Sequence, residues 1–398
     1  MAEILSANPC CAWAVLFTAL VTGVLSKFAS HDESIEAIKS LNSRFTNART
    51  KDELFYELIT DCREPLLSFQ ADAAADSLGT LHVAYSTDAP NFVGLFHSMM
   101  SLSLHLREVQ NCYLHILVAE EDMQQAMELV NCFKRELSKL PVIPAVVLHK
   151  LRPLPFNLST LQQHDIRTDL RKPQTFARLY LHEYLPGVRR VIWLDHDTIV
   201  QFDLGHLYRR KMHHSIAATW EWGNGTFAPY RKMVPGHVRP RIPHRSKRIF
   251  NSGVLVIDLE QWRSGGFTEA LEGAWPFFAG INGDQLLMNL VFTDFDRLSW
   301  QWNFMGFFIP LEIPDHCING ARILHWTWNN KPWHAGRKQE LRKYDYLWER
   351  YGPTHPCGSS LQLGRGQGAR VDNAANAVHR ARSPDRPPPL SADILIQR

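Results

Sequence analysis

Strand-like and helix-like segments alternate through the first half of the chain, and this alternation limits the folds that the chain can adopt. Strand patterns lie at Leu81–Tyr85, Tyr113–Val118 and Ala145–Leu148, with helical patterns between them at Leu95–Leu106 and Asp122–Lys139. A helix between two strands lets the strands run parallel, with the helices packed on the faces of the sheet. We therefore predict an α/β fold with a mostly parallel, Rossmann-like sheet and helices on both faces.

The second half of the chain repeats this pattern. Helices are predicted at Thr175–Leu185 and Gly283–Phe292, and strands at Arg190–Leu194 and Val254–Leu259. The chain has 398 residues, of which 45% are hydrophobic and 21% charged, a composition that is ordinary for a globular protein. Its formal net charge is only +3, so charge gives no reason to predict a nucleic-acid partner.

Composition divides the chain into four segments. We predict a signal anchor or signal peptide over residues 1–27, a stem over 28–79, the globular domain over 80–357 and a tail over 358–398. The tail is rich in arginine and proline and poor in large apolar residues, which is typical of disordered segments.

An apolar run without charged residues extends from Cys10 to Ser26. A secretory signal needs an apolar core of ~7–15 residues and a spanning helix ~20, so an uncleaved anchor, a cleaved signal and a buried helix all stay open. An anchor or a signal would place the rest of the chain in the lumen of the secretory pathway, with membrane attachment in the first case. The glycosylation triplets at Asn157 and Asn224 agree with that location.

Five cysteines lie outside the apolar run: Cys62, Cys112, Cys132, Cys317 and Cys357. None of them has the C-x-x-C spacing of a zinc or thioredoxin-like site. An oxidising lumen would allow one or two disulfides, and the sequence leaves their pairing open.

Two carboxylates stand at the end of an apolar strand, in the segment that runs from Val191 to Asp197. In an extended chain, side chains two residues apart point the same way, so Asp195 and Asp197 can face one ligand. Open α/β sheets place their ligands outside the carboxyl ends of strands. The motif therefore indicates a site for a hard divalent cation that holds a diphosphate, although two solvated aspartates would produce the same pattern.

A second candidate segment follows the apolar strand Ala321–Leu324. His325 offers an imidazole ligand of the kind that suits manganese, and Lys331 offers a positive charge for phosphate. A single histidine of this kind is more often a core residue, so this prediction depends on its combination with the two aspartates.

These motifs resemble those of glycosyltransferase family 8, the family of glycogenin-like and lipopolysaccharide galactosyltransferases, over residues 80–350. The motifs occur in the family's order: Ala84–Asp88, Phe176–Tyr180, Asp195–Asp197, Asn251–Leu255, Gly283–Gln285, and His325 with Lys331–Trp333. The resemblance implies a GT-A fold, Golgi or other secretory-pathway localisation with a lumenal catalytic domain, and retaining transfer of a hexosyl or pentosyl group. It also implies a UDP-sugar donor, a carbohydrate acceptor and Mn²⁺ as cofactor.

The resemblance assigns the metal to Asp195, Asp197 and His325. It implies that Lys331 holds the donor phosphates and that Arg178 contacts the donor. The remaining donor-binding residues that it implies are Ala84, Ser86, Thr87, Asp88, His196, Asn251 and Asp284.

The resemblance also implies a catalytic set: Gln285, Asp284, Arg178 and Lys331. It places Gln285 near the anomeric carbon, on the face away from the metal. Retention can proceed by double displacement or by front-side attack, in which the leaving phosphate takes the acceptor's proton. Gln285 is a poor nucleophile because its amide is neutral, and Asp284 is the alternative. We favour front-side attack.

Trp328 departs from the family pattern, which has a glycine at this position, three residues after the metal-binding histidine. The indole would either crowd the phosphates or point outward. A catalytically inactive protein of the same fold that binds nucleotide-sugar or glycan is therefore an alternative. A metal-dependent phosphohydrolase is a further alternative, but it would need more carboxylates for a two-metal site.

Two other segments have both a structural and a functional interpretation. Trp220–Trp222 can pack in the core or stack on a sugar face, and the basic stretch His237–Arg248 is a solvated loop or a surface for an acidic acceptor. Asn303 lies in a segment that fits a core strand, and we assign it no functional role.

Overall fold

The computed structural model describes residue 62, residues 79–357 with short gaps, and residues 394–397. The gaps are 108–110, 139, 141, 159–169, 171, 223–224, 234–238, 279–282, 309, 311 and 329. Most of the predicted stem, the apolar N-terminal run and most of the predicted tail lie outside the described residues, so these assignments stay predictions.

The strands, numbered along the chain, are β1 (Leu81–Ser86), β2 (Cys112–Val118), β3 (Ala145–Lys150), β4 (Arg190–Leu194), β5 (Thr198–Val200), β6 (Ile216–Trp220), β7 (Phe250–Asp258), β8 (Asp296–Arg297), β9 (Ile323–His325) and β10 (Ile394–Gln397). The longer helices are α1 (Phe92–His105), α2 (Met123–Leu137), α8 (Phe267–Phe278) and α9 (Gly283–Val291). The short helices are α3 (Pro173–Phe176), α4 (Leu181–Tyr184), α5 (Gly205–Tyr208), α6 (Ala228–Met233), α7 (Leu259–Ser264), α10 (Asp315–Gly320) and α11 (Tyr346–Glu349). Turns of 3-10 helix occupy Ala89–Asn91, Glu120–Asp122, Ala177–Tyr180, Arg239–Arg241, Trp300–Trp302 and Gln339–Tyr344.

The main sheet is mostly parallel, as predicted. Its strand order is β10-β3-β2-β1-β4-β7-β6-β8, and a separate two-stranded sheet joins β5 to β9. The strands from β10 to β4 pair in parallel, whereas β7 runs antiparallel to both β4 and β6. The α/β class is therefore confirmed, with one reversed strand that the sequence did not indicate.

Apolar side chains pack on both faces of this sheet. Alternate residues of β1 point to opposite faces, so that Val83 and Tyr85 join one buried cluster and Ala84 joins the other. The first cluster includes Phe133 of α2, and the second includes Leu287 of α9. Helices thus cover both faces, as the alternating pattern predicts.

The carboxyl ends of the parallel strands β1 and β4 lie at the same edge of the sheet, which we call the functional edge. The reversed strand β7 determines which further residues lie there. Leu194 at the end of β4 pairs with Val254 in the first half of β7. The amide of Asp195 donates to the carbonyl of Gly253 at 2.8 Å. Because β7 is antiparallel, the residues at its beginning, rather than its end, lie beside the carboxyl end of β4.

The predicted helix Thr175–Leu185 is interrupted in the structure. It consists of α3, a 3-10 turn over Ala177–Tyr180, and α4. All four residues of the turn are buried. The side chains of a 3-10 turn point in all directions around its axis, so the burial of all four residues, including Arg178, means that neighbouring elements cover the turn on every side.

No helix among the residues that the structure describes is long and apolar enough to cross a membrane. The apolar run Cys10–Ser26 lies outside those residues. Within the tail that was predicted to be disordered, residues 394–397 form the edge strand β10, which pairs with β3.

Two disulfides join distant parts of the chain. Cys62 is bonded to Cys317 and Cys132 to Cys357, with sequence separations of 255 and 225 residues. Cys112 is a free, buried thiol. The sequence allowed one or two disulfides, and the structure has two. The bond between Cys62 and Cys317 joins the predicted stem to the globular domain.

We expect the variant Cys132→Ser/Cys357→Ser to lose about 2–5 kcal/mol of unfolding free energy, because the bond restricts a long loop in the unfolded chain. Urea denaturation of the oxidised protein measures this loss. Dithiothreitol should lower the stability of the wild type further than that of this variant, which has one bond fewer to lose. Equal stability of oxidised and reduced wild type would contradict the two bonds.

Candidate active site

Two contacts bring the predicted metal ligands together. Asp195 and Asp197 follow β4, and the antiparallel pairing of β5 with β9 sets Thr198 opposite His325. The amide of Trp326 donates to the carbonyl of Asp197 at 2.9 Å. The histidine therefore lies beside the aspartates although it is distant from them in the sequence.

The three side chains direct one ligand atom each to a common point. His325 Nε2 lies 3.1 Å from Asp197 Oδ1 and 3.9 Å from Asp195 Oδ2, and the three groups fit the spacing of a metal site. Asp197 Oδ1 is buried and has no hydrogen-bond partner among the described residues. Buried oxygens are normally satisfied, and a bound cation would satisfy this one. Two carboxylates and an imidazole form a mixed oxygen and nitrogen set, which suits Mn²⁺.

Asn303 fixes the orientation of the His325 ring. Its Oδ1 lies 2.8 Å from His325 Nδ1, and its Nδ2 donates to Asn251 Oδ1 at 2.9 Å. Since the Oδ1 of an amide can only accept, the ring carries its proton on Nδ1. Nε2 is then the ring nitrogen that remains to ligate a metal, and it faces the two carboxylates.

Lys331 is buried beside the same aspartate. Its Nζ donates to Asp197 Oδ2 and to the carbonyl of Trp326, the latter at 2.9 Å. Burial alone would raise the pKa of Asp197, but the positive charge of Lys331 holds it well below its usual range. Asp197 is therefore ionised, with one oxygen on the lysine and the other available to a cation.

Gly253 makes the close approach of β7 to the metal ligands possible. A Cβ atom at this position would lie 2.2 Å from His325 Cε1 and 3.0 Å from Asp195 Oδ2. No larger residue fits there without displacing the histidine. The glycine of the Asn251–Leu255 motif is thus required by packing.

Arg178 connects three parts of the site through its guanidinium group. It contacts Asp195 Oδ1 at 3.0 Å and Asp284 Oδ2 at 2.7 Å, and it donates to the carbonyl of Ser252. The group also lies over the Trp193 ring, 4.5 Å from its centroid. Arg178 is buried, and its contacts are to the protein, so the structure shows it positioning two carboxylates.

Asp284 is buried at the beginning of α9. Burial raises its pKa to about 6 against the attraction of Arg178, and the negative charge of Asp195 adds to the rise. Arg178 is shared between the two carboxylates, so its effect on either one is reduced. The carboxyl group therefore takes up a proton in mildly acidic solution.

This raised pKa predicts a pH dependence of stability. Between about pH 4 and 6 the folded metal-free protein binds a proton at Asp284 that the unfolded chain releases, so stability should fall as the pH rises through this window. A shift of about two units corresponds to about 3 kcal/mol. Urea denaturation of the wild type and of Asp284→Asn measures this effect. As the pH rises from 4 to 7, the unfolding free energy of Asp284→Asn should increase by up to that amount relative to that of the wild type. A constant difference across the range would contradict the raised pKa.

Gln285 belongs to a hydrogen-bonded network on the other side of the site. Its Oε1 accepts from the amide of Ser252 at 3.0 Å, and its Nε2 donates to Glu221 Oε2 at 2.7 Å. Asn251 Nδ2 donates to the same oxygen of Glu221 at 3.0 Å. The amide of Gln285 is therefore held in one orientation, as a positioned neutral group.

Two residues of the site were not recognised as functional from the sequence. Glu221 directly follows β6, which runs in the same direction as β4, so its carboxylate emerges at the functional edge. A strand prediction over Ile216–Trp220 would have indicated this position. Asn303 follows a short 3-10 turn, and no local pattern distinguishes it from a core residue.

The residues at the end of β1 form a polar group near the metal ligands. Asp88 is buried and pairs with Lys172. Burial alone would raise the pKa of Asp88, but Lys172 keeps it below its usual value, with a smaller effect from His196. The Oγ1 of Thr87 is buried without a hydrogen-bond partner among the described residues. Ser86 donates to a backbone carbonyl of β2.

Ala84 lies outside this group. It is fully buried, pairs with Trp193 in β4, and belongs to the core cluster on one face of the sheet. The other predicted donor-binding residues lie around the functional edge. The contact of Ala84 with the donor stays a prediction.

Trp328 has a φ angle of 70°, in the left-handed region that favours glycine. Its side chain is 52% exposed and stacks on Phe308, with ring centroids 5.5 Å apart. The backbone thus has a conformation suited to glycine, and about half of the indole is exposed. A bulky residue in this conformation costs about 1–3 kcal/mol.

Comparison with known proteins shows the family of this chain. Residues 82–336 match the family model for glycosyl transferase family 8. Because the match spans more than half of the chain, the protein belongs to glycosyltransferase family 8, and it is a glycosyltransferase.

Several relatives share this membership. The chain is 28% identical over 314 residues to the probable galacturonosyltransferase-like 7 of Arabidopsis thaliana, covering 73% of this chain and 82% of the relative. It is 27% identical over 218 residues to glycosyltransferase 8 domain-containing protein 1 of Xenopus laevis, covering 47% of this chain and 57% of the relative.

Solved structures with similar folds include the galactosyltransferase LgtC in complex with donor and acceptor sugar analogues. That structure has a TM-score of 0.47 and 18% identity, covering 66% of this chain and 93% of the other. The bifunctional glycosyltransferase WbbM has a TM-score of 0.48 and 18% identity, and the match covers 67% of this chain and 50% of WbbM, so the chain spans half the length of that protein.

Proposed function

We propose that this glycosyltransferase moves a hexosyl or pentosyl group from a UDP-sugar to a carbohydrate acceptor, with retention of configuration and with Mn²⁺ bound by Asp195, Asp197 and His325. The observation that carries the proposal is the convergence of one ligand atom from each of these side chains. One of the three, Asp197 Oδ1, is buried without a hydrogen-bond partner among the described residues. A bound cation there would draw charge from the departing diphosphate.

The residues around this point would each bind a different part of the donor. Lys331, already beside Asp197, supplies a positive charge for the phosphates. Asn251 and Asp284 offer polar groups for the hydroxyls of the sugar, and Ser86, Thr87 and Asp88 line the place of the uridine. Arg178 keeps Asp195 and Asp284 in position and would also contact the donor.

The contacts of Gln285, Asp284 and Glu221 favour front-side attack. Asp284 is buried against Arg178, and both oxygens of Glu221 accept hydrogen bonds, from Gln285, Asn251 and the amide of Trp222. No carboxylate of this group is free to attack the sugar. The acceptor oxygen would then bond to the anomeric carbon from the side of the leaving phosphate, which breaks its bond to that carbon and takes the acceptor's proton.

The secretory pathway, with the Golgi as the specific compartment, is the proposed location. Two disulfides support an oxidising lumen, and the apolar run Cys10–Ser26 would supply the signal or membrane anchor. A phosphohydrolase has less support, because the other ligand cluster among the described residues contains Cys62 and Cys317, whose sulfurs form a disulfide.

The proposal is tested by measuring UDP release from UDP-glucose, UDP-galactose, UDP-xylose and UDP-galacturonic acid, with and without Mn²⁺, in the presence of mixed oligosaccharide acceptors. The last donor is included because plant relatives are named as probable galacturonosyltransferase-like proteins. We expect Mn²⁺-dependent release from one donor and an NMR spectrum of the product with the donor's anomeric configuration. Release with inversion, or from no donor, would contradict the proposal.

A further inference from the structure

An exposed aromatic surface borders the site. It consists of Trp222, Phe308 and Trp328, and we call it the aromatic platform. Phe308 stacks on Trp328 with an angle of 19° between the rings, and its edge meets Trp222 with centroids 5.1 Å apart. Trp222 and Phe308 are partly exposed and Trp328 is 52% exposed.

The platform connects the two sides of the site. Trp328 lies in the chain between His325 and Lys331, whereas Trp222 directly follows Glu221, which holds Gln285. Trp222 also lines a cleft that reaches Asn303, the residue that orients His325. Through Trp222, the platform therefore adjoins Glu221 and Asn303, two residues of the site.

The backbone conformation of Trp328 indicates that the indole has a role. A left-handed φ is unusual for any residue with a side chain, and such strain persists chiefly where it serves function. About half of the indole surface stays exposed, so its packing on Phe308 buries only part of the side chain. Other large exposed aromatics among the described residues, Phe202 and Tyr346, have no such backbone conformation.

We propose that the aromatic platform is the acceptor subsite and that it binds a pyranose ring of the acceptor glycan through its apolar C–H face. This inference rests on the proposed function and adds the chemistry of the acceptor. Flat, rigid aromatic rings offer large contact areas at low entropic cost, and they leave the sugar hydroxyls free for polar groups. The sugar ring would stack on the exposed face of Trp328, which Phe308 supports from the other side, with its reacting hydroxyl directed towards the metal side.

Variants at position 328 separate stacking from backbone strain. Trp328→Phe keeps both an aromatic face and the strain, Trp328→Ala keeps the strain without the face, and Trp328→Gly removes both. Because glycine adopts this conformation readily, Trp328→Gly should unfold at the same temperature as the wild type or at a higher one. Tyr346→Ala removes an aromatic of similar exposure from another surface and serves as the control.

Binding is measured on the full chain saturated with UDP and Mn²⁺, by ligand-detected NMR with the methyl α- and β-glycosides of glucose, galactose and xylose. We expect at least one glycoside to bind the wild type, with binding weakened about tenfold or more in Trp328→Ala and Trp328→Gly. Trp328→Phe and Tyr346→Ala should stay close to the wild type, and calorimetry should show an unchanged affinity for UDP in all four variants.

Three results would overturn the proposal: no glycoside bound by the wild type, equal binding by Trp328→Ala, or a loss of UDP affinity in Trp328→Ala. The last would assign the indole to the donor site instead. These results differ from a failure of the proposed function, in which the wild type itself would bind no UDP in the calorimetric titration.

Discussion

Asp197→Ala is expected to abolish Mn²⁺-dependent binding of UDP and to lower the rate of transfer by at least about 10³-fold. One oxygen of Asp197 faces His325 and the other accepts from Lys331. The substitution therefore removes a metal ligand and also leaves a buried lysine without its counter-ion. Calorimetric titration with UDP and a UDP-release assay measure the two effects.

Asp258→Ala is the matched control for this variant. Asp258 is equally buried, lies at the opposite end of β7, and accepts a hydrogen bond from the amide of Gln261 at 3.0 Å. Its loss should reduce stability while leaving the UDP affinity of the folded protein unchanged. Retention of Mn²⁺-dependent UDP binding by Asp197→Ala would contradict the assigned ligand set.

Gly253→Ala is expected to lower the rate of transfer by at least about 100-fold, although it adds a single methyl group. The new Cβ would overlap with His325 Cε1 and approach Asp195 Oδ2, so the ring must move away from the aspartates. Displacement of a ligand by about 1 Å is sufficient for an effect of this size. The apparent affinity for Mn²⁺, measured from the metal dependence of UDP release, should fall with it.

Gly273→Ala tests whether the effect belongs to the site. Gly273 lies in α8, and no atom stands within 4 Å of the position that its Cβ would take. Alanine there should leave activity unchanged and stabilise the helix by about 0.5–1 kcal/mol. A Gly253→Ala protein with wild-type affinity for Mn²⁺ would show that the close packing of β7 on His325 is not required.

The sheet and its functional edge were largely predictable from the sequence, because they follow from local patterns. The apolar run that ends at Asp195 predicts β4, and its carboxyl end is where ligands of such sheets lie. The direction of β7 was not predictable, because an apolar strand has the same pattern in either direction. That direction nevertheless decides that Asn251 and Gly253, at its beginning, join the site.

Side-chain contacts across the fold were the least predictable part of the site. The contact of Arg178 with the donor stays a prediction, whereas its ion pairs with Asp195 and Asp284 join residues of separate segments that no local pattern links. The contact of Asn303 with His325 joins residues from separate segments, and no spacing rule links them. The disulfide pairings depend in the same way on the tertiary structure, since any pairing of the five cysteines was compatible with the sequence.

At position 328 the backbone has a conformation that suits glycine, although the residue is tryptophan. The sequence left open whether the indole crowds the phosphates or points outward. The structure shows the indole exposed and stacked on Phe308, with the backbone in a conformation suited to glycine. The UDP affinities of the variants at position 328 distinguish the two orientations.

The most direct test of the account is calorimetric titration of the wild type with UDP, with and without Mn²⁺, beside Asp195→Ala/Asp197→Ala. The account predicts that UDP binds the wild type only when Mn²⁺ is present and that the double variant does not bind it under either condition. Metal-independent binding, or equal binding by the double variant, would contradict the proposed metal and donor site.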